Sequence, residues 1–474
     1  MFHDKTMLGA GFSASPAPMD ALQAFSETGA PGPVEHALRG PCASPEARKG
    51  TWFDEGYDFR EPAGAEFTEE VVTAIAAVDR RTKKRSEEDH RNHELLVRKV
   101  IANAVRCASF HSPGSVAVQR RASAYSGKPT YLNGKAMART TTLLSDAGLI
   151  DLMKGQHNVA ATTFVATSRL CALALKTGAT EQSLAYQMPC ERSVRLRLRD
   201  RDTELIAFEP TAETLAWGAR LGEVNDFLAQ QDIGVMLSAE EARQLTARMN
   251  EERSRGKLPY LKPELLRKSL YRQFNNGSFD DGGRMYGGWW INCPRELRQK
   301  IRINGSPTVE LDFSGCLIRM LYHQAGIDYR EDPYRLEPLA TCEGANGLPE
   351  DHFREPVKRM MQALINGQEG KRNEQIPLPN GLTFRPFFKR LEIVELLSAK
   401  HHCLSDRFFT GAGIKLQKIE SDITLDVVEG LGRRGIPCLP IHDSFIVPFE
   451  HKKILQEEMN ATYKEYLGFS PIVA

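Results

Sequence analysis

The stretch TVELDFSGCLIRMLY, residues 308–322, constrains the fold most, because its hydrophobic period changes at a fixed point. Up to Asp312 it alternates, with Val309 and Leu311 opposed to Glu310 and Asp312, which predicts a strand with one buried face. Beyond Gly315, Leu317, Met320 and Leu321 recur at helical spacing, so Asp312 is expected at a strand end just before a helix. A second stretch, Ile436 to Pro448, predicts two short apolar strands folded about His442-Asp443-Ser444. A carboxylate at the tip of an apolar hairpin is costly unless it reaches water or a partner. Two carboxylates at neighbouring strand ends offer what Mg²⁺ takes, since that ion keeps waters and needs only one or two carboxylates beside substrate phosphates.

The 474 residues exceed one ordinary core and predict two or three domains of α+β class with tails. Apolar residues at 41% and charged residues at 26% disfavour a wholly disordered or fibrous chain. Apolar runs are short, so no transmembrane helix and no membrane partner are expected. The first residues lack a basic segment followed by a sustained apolar one, so no secretory signal is read. Nine cysteines without a C-x-x-C pair give no support to a zinc ribbon or redox pair and fit a reduced, cytoplasmic setting. The net charge of +1 excludes only a uniformly basic nucleic-acid coat. Cations concentrate at Arg80–Arg85, Arg192–Arg201, Arg295–Arg302 and Arg354–Arg359.

Residues 1–66, rich in Gly, Pro, Ala and Ser, are expected to form a flexible arm with a short helix near Asp20–Thr28. Within 67–176 three helices are predicted, over Leu95 to Val105, Val116–Ser126 and Lys135–Asp146, the last stopped by Gly148. Strands Leu149–Met153 and Thr162–Ala166 follow, around the loop 154–158. That order resembles a winged helix, and Leu144 to Ile150 resembles the end of its recognition helix entering the wing. The resemblance implies that Lys135, Arg139 and Thr140–Thr142 face a duplex groove while Lys154 and His157 touch the backbone; a winged helix used only for packing is the alternative. Residues 177–262 are read as a connecting, thumb-like region. There Arg195, Arg197 and Arg199 would line the solvated face of an edge strand.

From Lys262 polar and aromatic residues crowd together, and the glycine-rich Gly282 to Trp290 predicts a tight surface that a backbone or ligand can approach closely. Asp312-Phe313-Ser314 with Arg319 resembles motif A of the family A DNA polymerases. His442-Asp443-Ser444 resembles motif C, in the form more typical of single-subunit RNA polymerases. Arg354, Lys358 and Gly367 resemble motif B of the fingers helix, Gln417 and Asp422 the helix before motif C, and Gly283-Arg284 the pair that approaches the primer-template. Order and rough spacing agree over 265–470, which implies a right-hand palm and fingers in 263–474, preceded by the winged helix-turn-helix domain.

The resemblance implies a template-directed nucleotidyltransferase that works on a DNA primer-template or other nucleic acid with nucleoside triphosphates, in replication of a phage, plasmid or mobile element. Asp312 and Asp443 would hold two Mg²⁺ (or Mn²⁺) ions; Arg354 and Lys358 would neutralise the triphosphate. His442 would bond the primer end, or be an ordinary turn histidine, and Glu310 would be an auxiliary carboxylate. Arg284, Arg319 and Gln417 would meet nucleic acid or substrate, and so would Gln362 and Asn366, although motif B has aromatics at those two positions. Leu317 stands where DNA polymerase I has a glutamate that excludes ribose, and Pro356 would set Arg354 just outside the fingers helix. Two other readings remain: a metal-dependent nuclease, and a replication or regulatory DNA-binding protein whose polymerase-like half is idle.

Overall fold

A computed structural model describes residues 50–110, 114–119, 125, 130–156, 161–188, 193–198, 205–238, 240–241, 266–367 and 383–474. The chain forms two compact α+β units. Of the described residues, one unit holds those of 50–188 and 236–269, and the other holds those of 193–235 and 270–474. The expected connecting region 177–262 is therefore divided between the two. Among the described residues no helix is long and apolar enough to cross a membrane.

In the first unit β1 (Thr51–Trp52) and β2 (Tyr57–Phe59) precede α1 (Ala63–Ala76) and α2 (Glu87–Phe110). Then come β3 (Ser115–Val118), α3 (Gly134–Asp146), β4 (Ile150–Met153), β5 (Thr162–Ala166), α4 (Ser168–Lys176) and β6 (Leu184–Tyr186). A sheet of order β1-β3-β5-β4 carries β3 and β4 antiparallel to β5. Val97, Val100 and Ile101 of α2, Met137 and Leu144 of α3 and Phe164 of β5 are fully buried together with α1's Phe67 and Val71. Asn133 caps α3 by accepting the Ala136 N–H at 2.9 Å, and Gly148 follows its end at φ +67°.

Two expectations need correction here. Val116 does not open a helix: Ser115–Val118 is a buried strand between β1 and β5. A run of four small and β-branched residues suits a strand covered on both faces, and its apolar period cannot separate that from a helix. Nor does the arm extend to residue 66, because Tyr57 and Phe59 are core residues, Tyr57 lying against the Arg106 guanidinium and the Tyr186 ring. The helix expected near Asp20–Thr28 and the wing residue His157 lie outside the described residues.

The second unit holds two sheets. β10 (Ser278–Tyr286), β9 (Tyr271–Asn275) and β7 (Val194–Leu196) form one, with β7 at an edge; Val194 and Leu196 are buried and Arg195 is half-exposed. The other has the order β13 (Leu439–Ile441), β14 (Ser444–Pro448), β12 (Ser306–Asp312), β11 (Ile301–Ile303), β8 (Ile233–Val235). Its longer helices among the described residues are α5 (Ala212–Ala229), α6 (Cys316–Gln324), α7 (Glu337–Ala345), α8 (Arg354–Asn366), α9 (Arg390–Lys400), α10 (Ala412–Arg433) and α11 (Lys452–Leu467). α10 is the spine: it packs on β10, α5, α6, α8, α11 and β13. Its buried side runs through Leu416, Glu420, Ile423, Val427 and Leu431.

Candidate active site

β12 ends at Asp312 and α6 starts at Cys316, joined by Gly315 at φ +62°. The hairpin β13–β14 turns at His442, whose φ of +58° is unusual for a residue with a Cβ. Pairing of β12 with β14 sets Asp312 opposite Ser444, and the Phe313 N–H donates to the Asp443 carbonyl at 3.1 Å. The two aspartates thus come to the ends of adjacent strands, although 130 residues separate them in sequence. Three supports hold the hairpin. The Trp290 indole N–H donates to the Pro440 carbonyl at 3.1 Å, the Thr424 hydroxyl to the His442 carbonyl at 3.1 Å, and the Ser444 hydroxyl to Glu310 at 2.8 Å. On the far side of Asp312 its backbone exchanges two hydrogen bonds with Ala474.

Burial raises the carboxyls of both Asp312 and Asp443 above the ordinary aspartate range, and Asp312 adds to the effect at Asp443. The Lys358 ammonium opposes the rise at both. Lys358 lies one turn beyond Arg354 on α8, so the two cations share a face. Arg354 is the first residue of α8, with Pro356 in the first turn where its missing N–H removes no helix bond. Its Nε donates to Asp332 at 2.9 Å, and its guanidinium lies 5.4 Å from the centre of the Tyr334 ring. Lys358 is half-buried and, among the described residues, has no hydrogen-bond or ion-pair partner. A partly dehydrated ammonium near two carboxylates, held by neither, is positioned for an anion that joins them.

Arg284 is held by Glu420, its Nε and Nη2 donating to the two carboxylate oxygens at 2.8 and 2.6 Å. Glu420 is 1% exposed; burial pushes its carboxyl up to about 7 against the pull of Arg284, with the Asp443 charge adding to the rise. His442 is pulled down to about 4 by burial and by the Arg284 and Arg298 charges, so it is neutral at physiological pH. Its Nδ1 is buried and, among the described residues, has no hydrogen-bond partner. Glu310 is engaged by Arg298 at 3.0 Å and by Ser444.

The remaining expected residues divide. Gln417 is half-buried on α10, one turn before Glu420, and Gln362 is half-buried on α8 one turn beyond Lys358. Asn366 is exposed at the end of α8, with its side chain against Gly413 of α10. Arg319 does not face the site. It is 3% exposed, and its guanidinium donates to the carbonyls of Ser314, Tyr329 and Glu331, clamping the loop after α6. In the first unit Lys135 is exposed, whereas Arg139 is paired with Asp79 at 3.0 Å. Thr140 and Thr141 turn inward and are buried, so only Thr142 of that run is exposed.

Compared with known proteins, the chain matches no family model and no curated protein. The site must therefore be judged on its own chemistry. Among the described residues no group of three or more His, Cys, Asp or Glu side chains is gathered for a metal ion. A cage built wholly of protein is not offered, but the pair Asp312 and Asp443, both raised by burial and one by the other's charge, suits a Mg²⁺ that completes its shell with water and phosphate.

Sequence reasoning missed Glu420, Asp332 and Tyr334. Glu420 lies in the middle of LQKIESD on a helix rich in charge, and only its pairing with Arg284 distinguishes it. Tyr334 follows α6 by ten residues and is 6% exposed, with Asp443, Cys316 and Arg354 all felt at its hydroxyl. No periodic signal marks such a loop residue.

Proposed function

We propose that this protein is a template-directed nucleotidyltransferase that joins a nucleoside triphosphate to a nucleic-acid 3′ end. The observation that carries the reading is the meeting of Asp312 and Asp443 at adjacent strand ends, with Lys358, unpartnered among the described residues, and the neighbouring Arg354 on one helix face whose charge reaches Asp312. Mg²⁺ bound by the two aspartates would supply Lewis acidity toward an attacking hydroxyl and charge neutralisation at the phosphates. Lys358 receives the triphosphate as a point charge, and Arg354 offers whatever part of its fork Asp332 leaves available. The neutral His442 can take or give one hydrogen bond at Nδ1 to the 3′ end. Burial of Asp443 keeps water from screening this charge pattern.

The order α2–β3–α3–β4–β5, with β3 and β4 flanking β5, supports a winged-helix reading of the first unit and hence duplex binding by the exposed Lys135 in the first turn of α3. That unit would bring the template-bearing nucleic acid, and it favours a polymerase over a nuclease that acts on free ends. Extension of a labelled primer-template with dNTPs or NTPs and Mg²⁺ tests the proposal. Wild type is expected to extend and Asp443→Ala to lose at least about a hundredfold in rate. Unchanged extension by Asp443→Ala removes the role assigned to the pair, and product shortening without nucleotide identifies a nuclease.

A further inference from the structure

A row of planar groups leads from the carboxylate pair across the β7–β9–β10 sheet. His442, next to Asp443, meets the Tyr286 ring edge-on, with centres 5.7 Å apart. Tyr286 on β10 is the register partner of Tyr271 on β9, their ring centres 5.9 Å apart. Arg195 of β7 lays its guanidinium 3.5 Å from the centre of the Tyr271 ring. All four side chains are partly exposed. The opposite face of the same strands carries the apolar packing, where Phe274 stacks on Trp217 at 5.0 Å.

A cross-strand aromatic pair would account for Tyr271 and Tyr286 alone. It would not account for a cation over the outer ring, or for a histidine at the inner end whose buried Nδ1 lacks a partner among the described residues. We propose that the row is a stacking track for a single-stranded nucleic-acid segment next to the reacting end, with bases on Tyr271 and Tyr286 and a backbone phosphate near Arg195. Stacking on rings tolerates any base, and an arginine at the end of the row matches the charge of the backbone. The track rests on the reading of Asp312 and Asp443 as the reacting end, but it makes a demand of its own, namely binding without turnover.

The experiment uses the full chain without Mg²⁺ or nucleotide. Fluorescence anisotropy compares a labelled oligothymidylate with an abasic oligodeoxynucleotide of the same length at two salt concentrations. Tyr271→Leu is expected to weaken oligothymidylate binding roughly tenfold and leave the abasic oligomer unchanged, while Tyr271→Phe binds as wild type. Arg195→Gln is expected to weaken both oligomers and flatten the salt dependence. Equal binding by Tyr271→Leu, or an equal loss with both oligomers, overturns the track. Photocrosslinking of a 5-bromouracil oligomer to the wild-type chain avoids any folding defect of the variants. Crosslinks at Tyr271 or Tyr286 support the track and crosslinks confined to other residues overturn it. A chain that binds in this way but extends no primer would refute the transferase reading and leave the track standing.

Discussion

At the scale of single residues, charge placement decides the site. Among the described residues no group holds Lys358, yet it offsets the burial of two carboxylates at once. On the proposed function, replacing it with glutamine should lower kcat/KM for nucleotide by about a hundredfold, the usual cost of losing one electrostatic group at a reacting centre. A merely structural lysine could produce that loss through misfolding, so the pH–rate profile is the sharper readout. With the cation gone, Asp312 and Asp443 should protonate more readily, and the acid limb should move to higher pH. An unmoved limb would mean that Lys358 does not act on the carboxylates. Arg319 teaches the opposite lesson. Its distance from Asp312 in sequence suits a substrate contact, but its three donors meet backbone carbonyls instead. A buried guanidinium must satisfy its donors, and which acceptors it finds depends on the loop after α6, which no local pattern specifies.

At the scale of elements, the site is built where α10 presses on β10. Gly283 stands at that contact with φ +80°, and a Cβ there would lie 2.8 Å from the Phe274 ring and 2.9 Å from both the Arg272 guanidinium and the Ser421 hydroxyl. Gly283→Ala combines left-handed strain with a clash against buried groups and should destabilise the second unit by about 1–3 kcal/mol, measured as a lower urea midpoint. On the proposed function, extension should fall with it, because Arg284, which Glu420 holds, is the next residue. Part of this region was legible in the sequence: the strand ending at Asp312, the helix after Gly315 and the hairpin about His442-Asp443-Ser444 follow from period and turn placement, whereas the glycine-rich stretch that forms the strands Tyr271–Asn275 and Ser278–Tyr286 reads only as a tight surface. Longer-range facts were not legible. The β1-β3-β5-β4 sheet depends on Ser115–Val118 finding β5, and a four-residue apolar run carries too little period to declare itself a strand. Likewise the cover that makes Thr140 and Thr141 inward residues comes from α3's neighbours.

At the scale of the whole molecule, the near-balance of 62 cations and 61 anions conceals groups held far from their ordinary titration. Burial first, then neighbouring charges, hold His93, His401 and His442 each down to about 4. His401 shows the cause most plainly. It is fully buried, its Nε2–H donates to the Pro333 carbonyl at 3.0 Å, and its Nδ1 must therefore accept from the Tyr322 hydroxyl at 2.7 Å. Unfolding lets these rings bind protons from the ordinary value of 6.5 downward, so the stability they contribute is complete above that pH and is lost as pH falls toward 4. Glu420 acts in the reverse sense. Raised from 4.5 to about 7, it contributes stability that is present below 4.5 and lost as pH rises through 7. The two trends oppose each other across the same window, and substitutions separate them. Between pH 7 and pH 5, His401→Gln should lower stability at neutral pH but lose less on acidification than wild type, whereas Glu420→Gln should lose more, because its offsetting proton uptake is gone. Urea midpoints followed by intrinsic fluorescence at several pH values give the three slopes. Parallel slopes for all three proteins would show that neither the neutral His401 nor the raised Glu420 governs the acid response.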